Sequence, residues 1–562
     1  MGNDGAKTIA CLSIFLFLTL VCLAQPNVPD KAKAGAVESS VEKTTPKTIV
    51  KPPIPEIEVP PRPEMEVKDT SLKIKVSKFK ITGNTKISTY QLSKIVRPYE
   101  GREMTLVDIK KVADLITNEY RNKGYFLARA YIPAQQVQNG VVEIAILEGK
   151  VDKIIVSGNK YYTKKFIRSQ MQPVISEQVI NNNDFQKSLL NLNENPKLQV
   201  NAVLSPGSKL GTADINLNVK DSTPYNLVVY YNNFGSEFTG RGRLGVTLDI
   251  GNLTRNGDIL TLGLVMPHPD WDAKFYRKIG YSIPITGYGT KLALNFGDME
   301  YEVGKDLAAA GITGKSRVFD LSVTHPLIKT VDRKLNIGTS LSIKNYENYT
   351  FGQLSAKDSL SMLGFGVSGE RIRTNCHDIV AANAYFGLGS MFGGMGEHPK
   401  MPSKPGADNT FLKLTIDAAH TMRIKNCSLI LRGSGQWANQ TLAVGEKFAI
   451  GGPDSVRGYP QSEYLGDKGY AISAELRTPF WPGESILNKY AQWAFFFDYA
   501  GVELENPLVG EKSSTTLSGY GAGIRVFYKN FDLRFDAGFP IKGKQPSDGG
   551  DVHYYIQGTL RF

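Results

Sequence analysis

Between residues 221 and 562, apolar side chains recur at every second position in segments of about ten residues. Leu244, Val246, Leu248 and Ile250 alternate with Arg243, Gly245, Thr247 and Asp249. Leu292, Leu294 and Phe296 alternate with Lys291, Ala293, Asn295 and Gly297. Phe531, Leu533, Phe535 and Phe539 alternate with Asp532, Arg534, Asp536 and Gly538. Period two is the signature of strands with one apolar and one polar face. In a soluble sandwich the apolar faces need a second sheet. In a membrane barrel they meet lipid, and the polar faces line a wet lumen. The segments start near Tyr225, Arg241, Asp258, Asp272, Thr290, Gly314, Lys334, Lys357, Asp378, Asn409, Cys427, Gly469, Tyr490, Thr516, Phe531 and Asp551, sixteen in all. Short turns such as 528-YKN-530 and 423-RIKN-426 alternate with longer connections such as 391–408 and 438–468, the rhythm of a barrel with tight turns at one rim and loops at the other. In the last segment Tyr554, Ile556, Leu560 and the terminal Phe562 share one face, as a closing barrel strand requires. The predicted fold is a transmembrane β-barrel of 16 antiparallel strands over 221–562.

The chain upstream divides into four pieces. Lys7 precedes the apolar run 9-IACLSIFLFLTLVCLA-24, with Cys22 and Ala24 placed for cleavage before Gln25, so 1–24 reads as a secretory signal. Lipidation of Cys22 is the alternative, with Leu20-Val21 a poor signal for it. Two of the four cysteines leave with the signal; Cys376 and Cys427 remain, as a disulfide or as two thiols. Residues 25–71 are a Pro-rich spacer, as in 51-KPPIPEIEVPPRP-63, without the apolar period a core requires. Residues 72–149 and 150–220 are two copies of one α+β unit. Compare 79-FKITGNTKIS-88 with 154-IIVSGNKYYT-163, each a strand closed by Gly-Asn. Thr105 and Asp108 have capping-box spacing, and Ile109, Val112, Ala113, Ile116 and Tyr120 fall on one helical face. Strands at 125–133 and 141–149 follow, and the second copy repeats the order with strands at 197–204 and 212–220. An open sheet edge on such a unit can accept an extended peptide.

The formal charge of +12 comes from singly spread residues with no basic run interleaved with aromatics, so no nucleic-acid partner is expected. The stretch 309-AAGITGKS-316 ends like a phosphate loop but lacks its first glycine and runs into a strand pattern. The six histidines are scattered, and no Gly-x-Ser-x-Gly elbow occurs. No catalytic residue, metal or cofactor is expected.

The remaining polar feature is Arg457 in 451-GGPDSVRGYP-460, within the longest connection of the barrel region. In 469-GYAISAELRTPF-480 the alternation turns Ser473, Glu475 and Arg477 to the lumen. In 492-QWAFFFDYAG-501 it does the same for Phe496 and Asp498. A loop folded inward would bring Arg457 to Asp498 as a bidentate pair; a loop left outside would leave it a solvated charge. Patterning alone leaves both open.

The motif Val456-Arg457-Gly458-Tyr459 on a sixth external loop, 475-ELR-477 and 496-FFD-498 resemble those of two-partner-secretion transporters (TpsB type, the haemolysin secretion/activation family). The stretch 120-YRNKGYFLARAYIPAQQVQNGVVEIAILEG-149 resembles that family's polypeptide-transport-associated (POTRA) repeat. The resemblance implies a place in the outer membrane of a Gram-negative bacterium, with both POTRA units in the periplasm. It implies capture there of the N-terminal secretion domain of a TpsA-type exoprotein, adhesin or haemolysin, and its export through the barrel without ATP. Outer-membrane lipid and, during biogenesis, the barrel assembly machinery are the other implied partners, and Phe562, Leu560 and Tyr554 form the C-terminal barrel signal. Arg457 is expected to pair with Asp498 inside the pore, near Glu475, Phe496 and Arg477. Cargo-binding residues on the POTRA sheet edges are not identified. Members often carry a plug helix before the spacer; residues 31–43 are the only candidate, with a weak helical pattern. An assembly factor of the same superfamily is the alternative reading, against which the two POTRA units and the spacer weigh.

Overall fold

A computed structural model describes residues 28–44, 55–59, 73–268, 275–541 and 543–562. The expected signal segment 1–24 and most of the spacer lie outside the described residues. The chain begins with helix α1 (Ala34–Thr44) and a short strand β1 (Ile57–Glu58). The first α+β unit follows: β2 (Lys73–Val76), β3 (Lys78–Thr82), α2 (Thr89–Val96), β4 (Arg102–Thr105), α3 (Leu106–Asn122), β5 (Arg129–Tyr131) and β6 (Val141–Leu147). The second holds β7 (Lys150–Ser157), α4 (Lys164–Ser169), α5 (Gln172–Glu177), α6 (Asn182–Asn193), β8 (Leu198–Pro206) and β9 (Thr212–Asp221). Helix α3 starts in the full capping box of Thr105 and Asp108 and buries Ile109, Val112, Ala113, Ile116 and Tyr120 against the sheet β3-β6-β5.

The internal repeat is a repeat of hydrogen bonds. In each copy a strand, β3 or β7, runs into a left-handed glycine, Gly83 (φ +82°) or Gly158 (φ +84°), where a Cβ would stand 2.3 Å from the carbonyl oxygen of Ile146 or Val219. The next residue secures the turn: Asn84 Nδ2 donates to the Ile87 carbonyl and Asn159 Nδ2 to that of Tyr162, both at 2.8 Å. A carboxylate then accepts the amides the turn leaves open. Glu148 takes those of Thr85 and Lys86 (2.6 and 2.8 Å), and Asp221 those of Lys160 and Tyr161 (2.9 and 2.8 Å).

Sixteen strands then close a barrel: β10 (Tyr225–Asn232), β11 (Gly242–Gly251), β12 (Ile259–His268), β13 (Tyr276–Pro284), β14 (Lys291–Glu302), β15 (Thr313–Lys329), β16 (Arg333–Thr350), β17 (Gln353–Ile372), β18 (Cys376–Gly387), β19 (Leu412–Ile424), β20 (Cys427–Ala438), then, after a ribbon of β21 (Phe448–Ile450) and β22 (Tyr464–Gly466), β23 (Lys468–Pro479), β24 (Ala491–Glu503), β25 (Ser514–Tyr528), β26 (Phe531–Pro540) and β27 (His553–Arg561). Every neighbour is antiparallel, and β27 closes on β10 from Val228↔Arg561 to Asn232↔Gln557. Each predicted segment corresponds to a barrel strand. The two largest departures have local causes: β17 begins at Gln353 because the hairpin from β16 turns on Phe351 and Gly352 (φ +52° and +73°), and β13 begins at Tyr276, beyond the predicted Asp272, which lies outside the described residues. The would-be phosphate loop is barrel wall: Gly314, Lys315 and Ser316 lie in β15. Cys376 and Cys427 are free thiols on β18 and β20, with β19 between them. Among the described residues no helix is long and apolar enough to cross a membrane.

The second unit sits on the tight-turn rim. Lys187 Nζ donates to the Pro326 carbonyl at 2.7 Å, Asn252 Nδ2 to that of Tyr161 at 2.9 Å, and Glu194 pairs with Lys291 and Lys329 at 3.1 and 2.7 Å.

Helix α1 lies inside the barrel and covers most of the segment 31–43 for which the sequence left a plug open. Its pattern is weak because it is buried on nearly every side: Val37 and Val41 join an apolar core with Tyr230, Tyr276, Met299, Tyr301 and Tyr346 of the wall, and polar residues are buried alongside them. The lumen wall surrounds it, so it is buried without an apolar stripe, Glu38 and Ser40 included. Asn348 Oδ1 accepts the Ala34 amide at 2.8 Å, and Arg243 Nη2 donates to Ser40 Oγ at 3.2 Å. Small residues decide its position: a Cβ on Gly35 would stand 2.4 Å from Gly445 Cα. The preceding residues reach the long-loop rim, where Lys31 Nζ meets Glu463 at 3.4 Å and Ser547 at 2.8 Å.

Candidate functional site: an arginine seated in the barrel lumen

The connection between β20 and β23 is the sixth on the long-loop rim. It enters the lumen through a one-turn helix, Val444–Glu446, whose Glu446 pairs with Lys344 at 2.7 Å and with Lys413. The β21–β22 ribbon then carries its tip across the wall. The tip reverses at Gly451 and Gly452 (φ +96° and +101°). Ser455 Oγ accepts the Gly451 amide at 3.3 Å, and the Val456 carbonyl accepts the Gly452 amide at 3.3 Å. The Gly-Gly-Pro-Asp-Ser run thus builds a reversal that points the next residues inward. Val456 and Tyr459 are buried with Phe448, Ile450, Ala500 and Leu517, which seats the tip by apolar burial on both sides of the arginine.

Arg457 is 1% exposed. Its Nε donates to Asp498 Oδ2 at 2.8 Å and its Nη2 to Asp498 Oδ1 at 2.9 Å, a bidentate fork. The Arg457 backbone amide donates to the same carboxylate at 3.0 Å. Nη1 donates to Glu475 Oε2 at 2.7 Å, and Nη2 to Ser473 Oγ at 3.1 Å. The guanidinium lies 3.5 Å over the Phe496 ring. Phe496 is buried while its neighbours Phe495 and Phe497 are about half exposed on the outer face (47% and 50%), so the strand pleat alone selects which aromatic meets the arginine. Arg477 Nε donates to Glu475 Oε1 at 2.8 Å.

Three charged residues that sequence reasoning did not assign complete the network. Arg525 on β25 donates to Glu475 at 3.0 Å and pairs with Asp536 on β26 at 2.7 Å. Arg534 Nε donates to Asp536 at 2.7 Å, and Arg534 Nη2 to the Pro453 carbonyl of the loop at 2.6 Å. Asp536 lies 3.7 Å from Arg457. Four guanidinium groups thus share three carboxylates, and neighbours of opposite sign surround each buried charge, as burial requires. The other unassigned feature is absence of side chains. A Cβ on Gly519 would stand 2.6 Å from the Arg457 carbonyl oxygen, and one on Gly538 2.6 Å from the Arg457 carbonyl carbon. Gly519, Gly521 and Gly523 fall on the same face of β25 as Arg525, so this wall is bare where the loop arrives. That run of inward glycines, with Arg534 and Asp536 on the polar face of 531–540, was the available signal.

Among the described residues no cluster of metal-ligating side chains occurs. The arrangement is a seat for a loop. A lumen cavity of ≈ 400 Å³ borders it, lined by Asp417, Arg432, Asp454, Arg457, Ser473 and Arg534. At the other end of the chain Tyr554, Leu560 and Phe562 are exposed on the outer apolar face, while Tyr555, one residue out of phase, turns inward and donates its hydroxyl to the Tyr459 carbonyl.

Residues 211–526 match the family model described as "Haemolysin secretion/activation protein ShlB/FhaC/HecB", and residues 74–149 match "POTRA domain, ShlB-type". The heme/hemopexin transporter protein HuxB of Haemophilus influenzae is 27% identical over 461 residues, 79% of each chain. The outer membrane transporter CdiB of Dickeya dadantii is 24% identical over 467 residues, 79% of this chain and 78% of that one. The solved structure of CdiB from Escherichia coli superposes with a TM-score of 0.76 at 21% identity, covering 93% of this chain and 95% of that one. With more than half its length matched, two POTRA units and a closed sixteen-stranded barrel, the chain belongs to the haemolysin secretion/activation protein family (ShlB/FhaC/HecB), the outer-membrane transporters of two-partner secretion.

Proposed function

We propose that this protein captures one large exoprotein in the periplasm through its POTRA units and exports it, unfolded, through the barrel, with no catalytic step of its own. The observation that carries the reading is what fills the lumen. The barrel holds two inserts, α1 and the loop tip bearing Arg457. Buried ion pairs and hydrogen bonds hold the loop, and buried hydrogen bonds together with an apolar core hold α1. A pore that carried only small solutes has no use for such inserts, nor for two folded units at its tight-turn rim. Polar contacts suit elements that must leave, because water can replace their partners once the lumen opens. The lipid-facing band and the aromatic Phe562 fit insertion into the outer membrane by the barrel assembly machinery, with the POTRA units in the periplasm and Lys31 at the cell surface.

Arg457 and Asp498, with Glu475, Phe496 and Arg477, hold the loop in its closed position in this reading. Co-expression with an exoprotein encoded beside this gene, with assay of the medium, tests it. Secretion is expected with the wild type and is strongly reduced with Arg457→Ala, while the variant still inserts as a barrel. Undiminished secretion by a correctly inserted Arg457→Ala protein overturns the role of the arginine. An inserted wild type that secretes nothing overturns the transport reading.

A further inference from the structure

Connections on the tight-turn rim are mostly short: 425–426 and 529–530 hold two residues, 330–332 and 373–375 three. The longer turns 252–258 and 285–290 meet the second POTRA unit, through Asn252 and Tyr288. The connection between β23 and β24, residues 480–490, holds eleven. Its own side chains fix its shape. Asn488 Nδ2 donates to the Trp481 and Gly483 carbonyls, both at 2.9 Å, and Asn488 Oδ1 accepts the Trp481 amide at 2.7 Å. Ser485 Oγ accepts the Leu487 amide at 3.2 Å and opens a one-turn helix, Ile486–Lys489. This built turn presents three large apolar side chains outward, Trp481, Ile486 and Leu487, at 58%, 75% and 47% exposure. Single exposed apolar residues are ordinary, but three held together by a dedicated polar clamp mark a surface that meets something.

The turn leaves the barrel from its outer face. Trp493 has the parity of the outward Phe495 and Phe497. Phe480 stacks on Trp493 with ring centroids 5.2 Å apart, and Trp493 Nε1 donates to the Phe480 carbonyl at 3.2 Å. At the far end Tyr490 meets Tyr528 edge-on at 5.3 Å, and Tyr528 shares the outer face of β25 with Tyr520. The turn therefore prolongs the lipid-facing band past the strand ends. An ammonium stands at each ring of the tyrosine pair: Lys489 Nζ lies 5.7 Å from the Tyr490 centroid and Lys529 Nζ 5.4 Å from that of Tyr528. Both lysines are exposed, and among the described residues neither has a carboxylate partner. Aromatic bodies ending an apolar band, with cations just beyond them, are the composition of a boundary between acyl chains and headgroups.

We propose that 480–490 is a lipid-binding turn. Trp481, Ile486 and Leu487 enter the acyl region of the periplasmic leaflet, and Lys489 and Lys529 hold the phosphate of an anionic phospholipid beside the Tyr490–Tyr528 pair. Lipid is the occupant because the turn continues a face that already meets lipid, and because its two unpaired charges answer to phosphate. The inference rests on the outer-membrane placement and is independent of what the barrel exports. The turn joins the two strands that carry Glu475 and Asp498, so its contact with lipid fixes the depth of the wall on which Arg457 is seated.

The test uses the full-length protein with Cys376→Ser, Cys427→Ser and Ile486→Cys, labelled with a bimane fluorophore and reconstituted in phosphatidylcholine nanodiscs. Phe497→Cys on the outer face is the lipid control, and Val509→Cys on a long-rim loop is the water control. The probe at 486 should be quenched by lipid bearing a nitroxide high in its acyl chain, as at 497, and by iodide at least about fivefold less than at 509. Iodide quenching equal to that at 509, without quenching by lipid, overturns the insertion and leaves the turn to a protein partner. The nitroxide is then carried on phosphatidylglycerol or on phosphatidylcholine at equal mole fraction. Occupancy beside 486 should be at least about fivefold higher for the anionic lipid, the worth of one lysine at an anionic surface. Lys489→Gln with Lys529→Gln should abolish that preference and leave the depth unchanged. Equal occupancy by the two lipids, or a preference that survives both substitutions, overturns the headgroup assignment. If the probe at 497 is itself not quenched by lipid, the membrane placement falls first and this inference falls with it.

Discussion

Replacement of Arg457 by alanine should free the loop tip. The loss concentrates on Asp498, which gives up both side-chain bonds of the fork, 2.8 and 2.9 Å, and keeps only the loop amide at 3.0 Å. Glu475 fares better, because Arg477 and Arg525 remain at 2.8 and 3.0 Å. Removing one partner of a buried pair costs about 3–5 kcal/mol. At about 1.36 kcal/mol per decade that raises the undocked population roughly 10²- to 10⁴-fold. Val456 is fully buried beside the arginine, so Val456→Cys in a Cys376→Ser, Cys427→Ser background reports undocking through its rate of reaction with a maleimide. Arg457→Ala should raise that rate by the same factor. Asp498→Ala should raise it less, since Arg457 retains Glu475 at 2.7 Å and Asp536 at 3.7 Å. The double variant should fall short of the product of the two, because the second change removes the stranded charge. Rates that rise less than about tenfold in Arg457→Ala, or effects that multiply without coupling, would refute the pairing as what holds the loop.

Three further outcomes follow from the same geometry. Gly538→Val should mimic Arg457→Ala in the maleimide assay without touching a charge, because its Cβ alone falls 2.6 Å from the Arg457 carbonyl carbon; unchanged protection shows that the wall can yield. Gly35→Leu should expel α1, whose backbone lies against Gly445, and raise single-channel conductance in planar bilayers, with wild-type conductance counting against the plug's position. Burial works to raise the Glu194 pKa, and the ammonium groups of Lys291 and Lys329 overcome it, holding the carboxyl down to about 2 from an ordinary 4.5. Its contribution to POTRA–barrel docking, about 3 kcal/mol, is then fully present above pH 4.5 and lost as pH falls from there toward 2. Crosslinking between the second unit and the barrel turns should weaken over that window in the wild type and show no such transition in Glu194→Gln.

Much of the fold is local and therefore readable. A pleated strand sends alternate side chains to opposite faces, so Phe495, Phe496 and Phe497 declare their sides by their order in the chain. The Gly-Asn pairs at 83–84 and 158–159 mark turns that only glycine can make, which is why the repeat stands out from its surroundings. The helix α1 is less legible because the barrel wall buries it on nearly every side, so burial leaves no single apolar stripe in 34-AGAVESSVEKT-44. The closing carboxylates of the repeat, Glu148 and Asp221, lie about sixty residues after the turns they satisfy, and nothing in their local sequence announces them.

The candidate site divides along the same line. Alternation within β23 and β24 puts Glu475 and Asp498 on the lumen side, and the glycine-rich loop announces a chain able to reverse. Whether that loop enters the barrel is not a local matter. It depends on bare glycines of β25 and β26 lying where the Arg457 backbone arrives, on Arg525, Arg534 and Asp536 from two further strands, and on Val456 and Tyr459 finding an apolar seat. By itself the sequence determined strands, faces, repeat and the sign of each inward charge, because these follow from backbone geometry over a few residues. The tertiary structure alone decided which inward charges meet, which wall admits the loop, and that the spacer lies on a sheet edge nearly 150 residues away, at Ala202 and Val203, because closing a barrel and adding a strand bring together segments with no local relation.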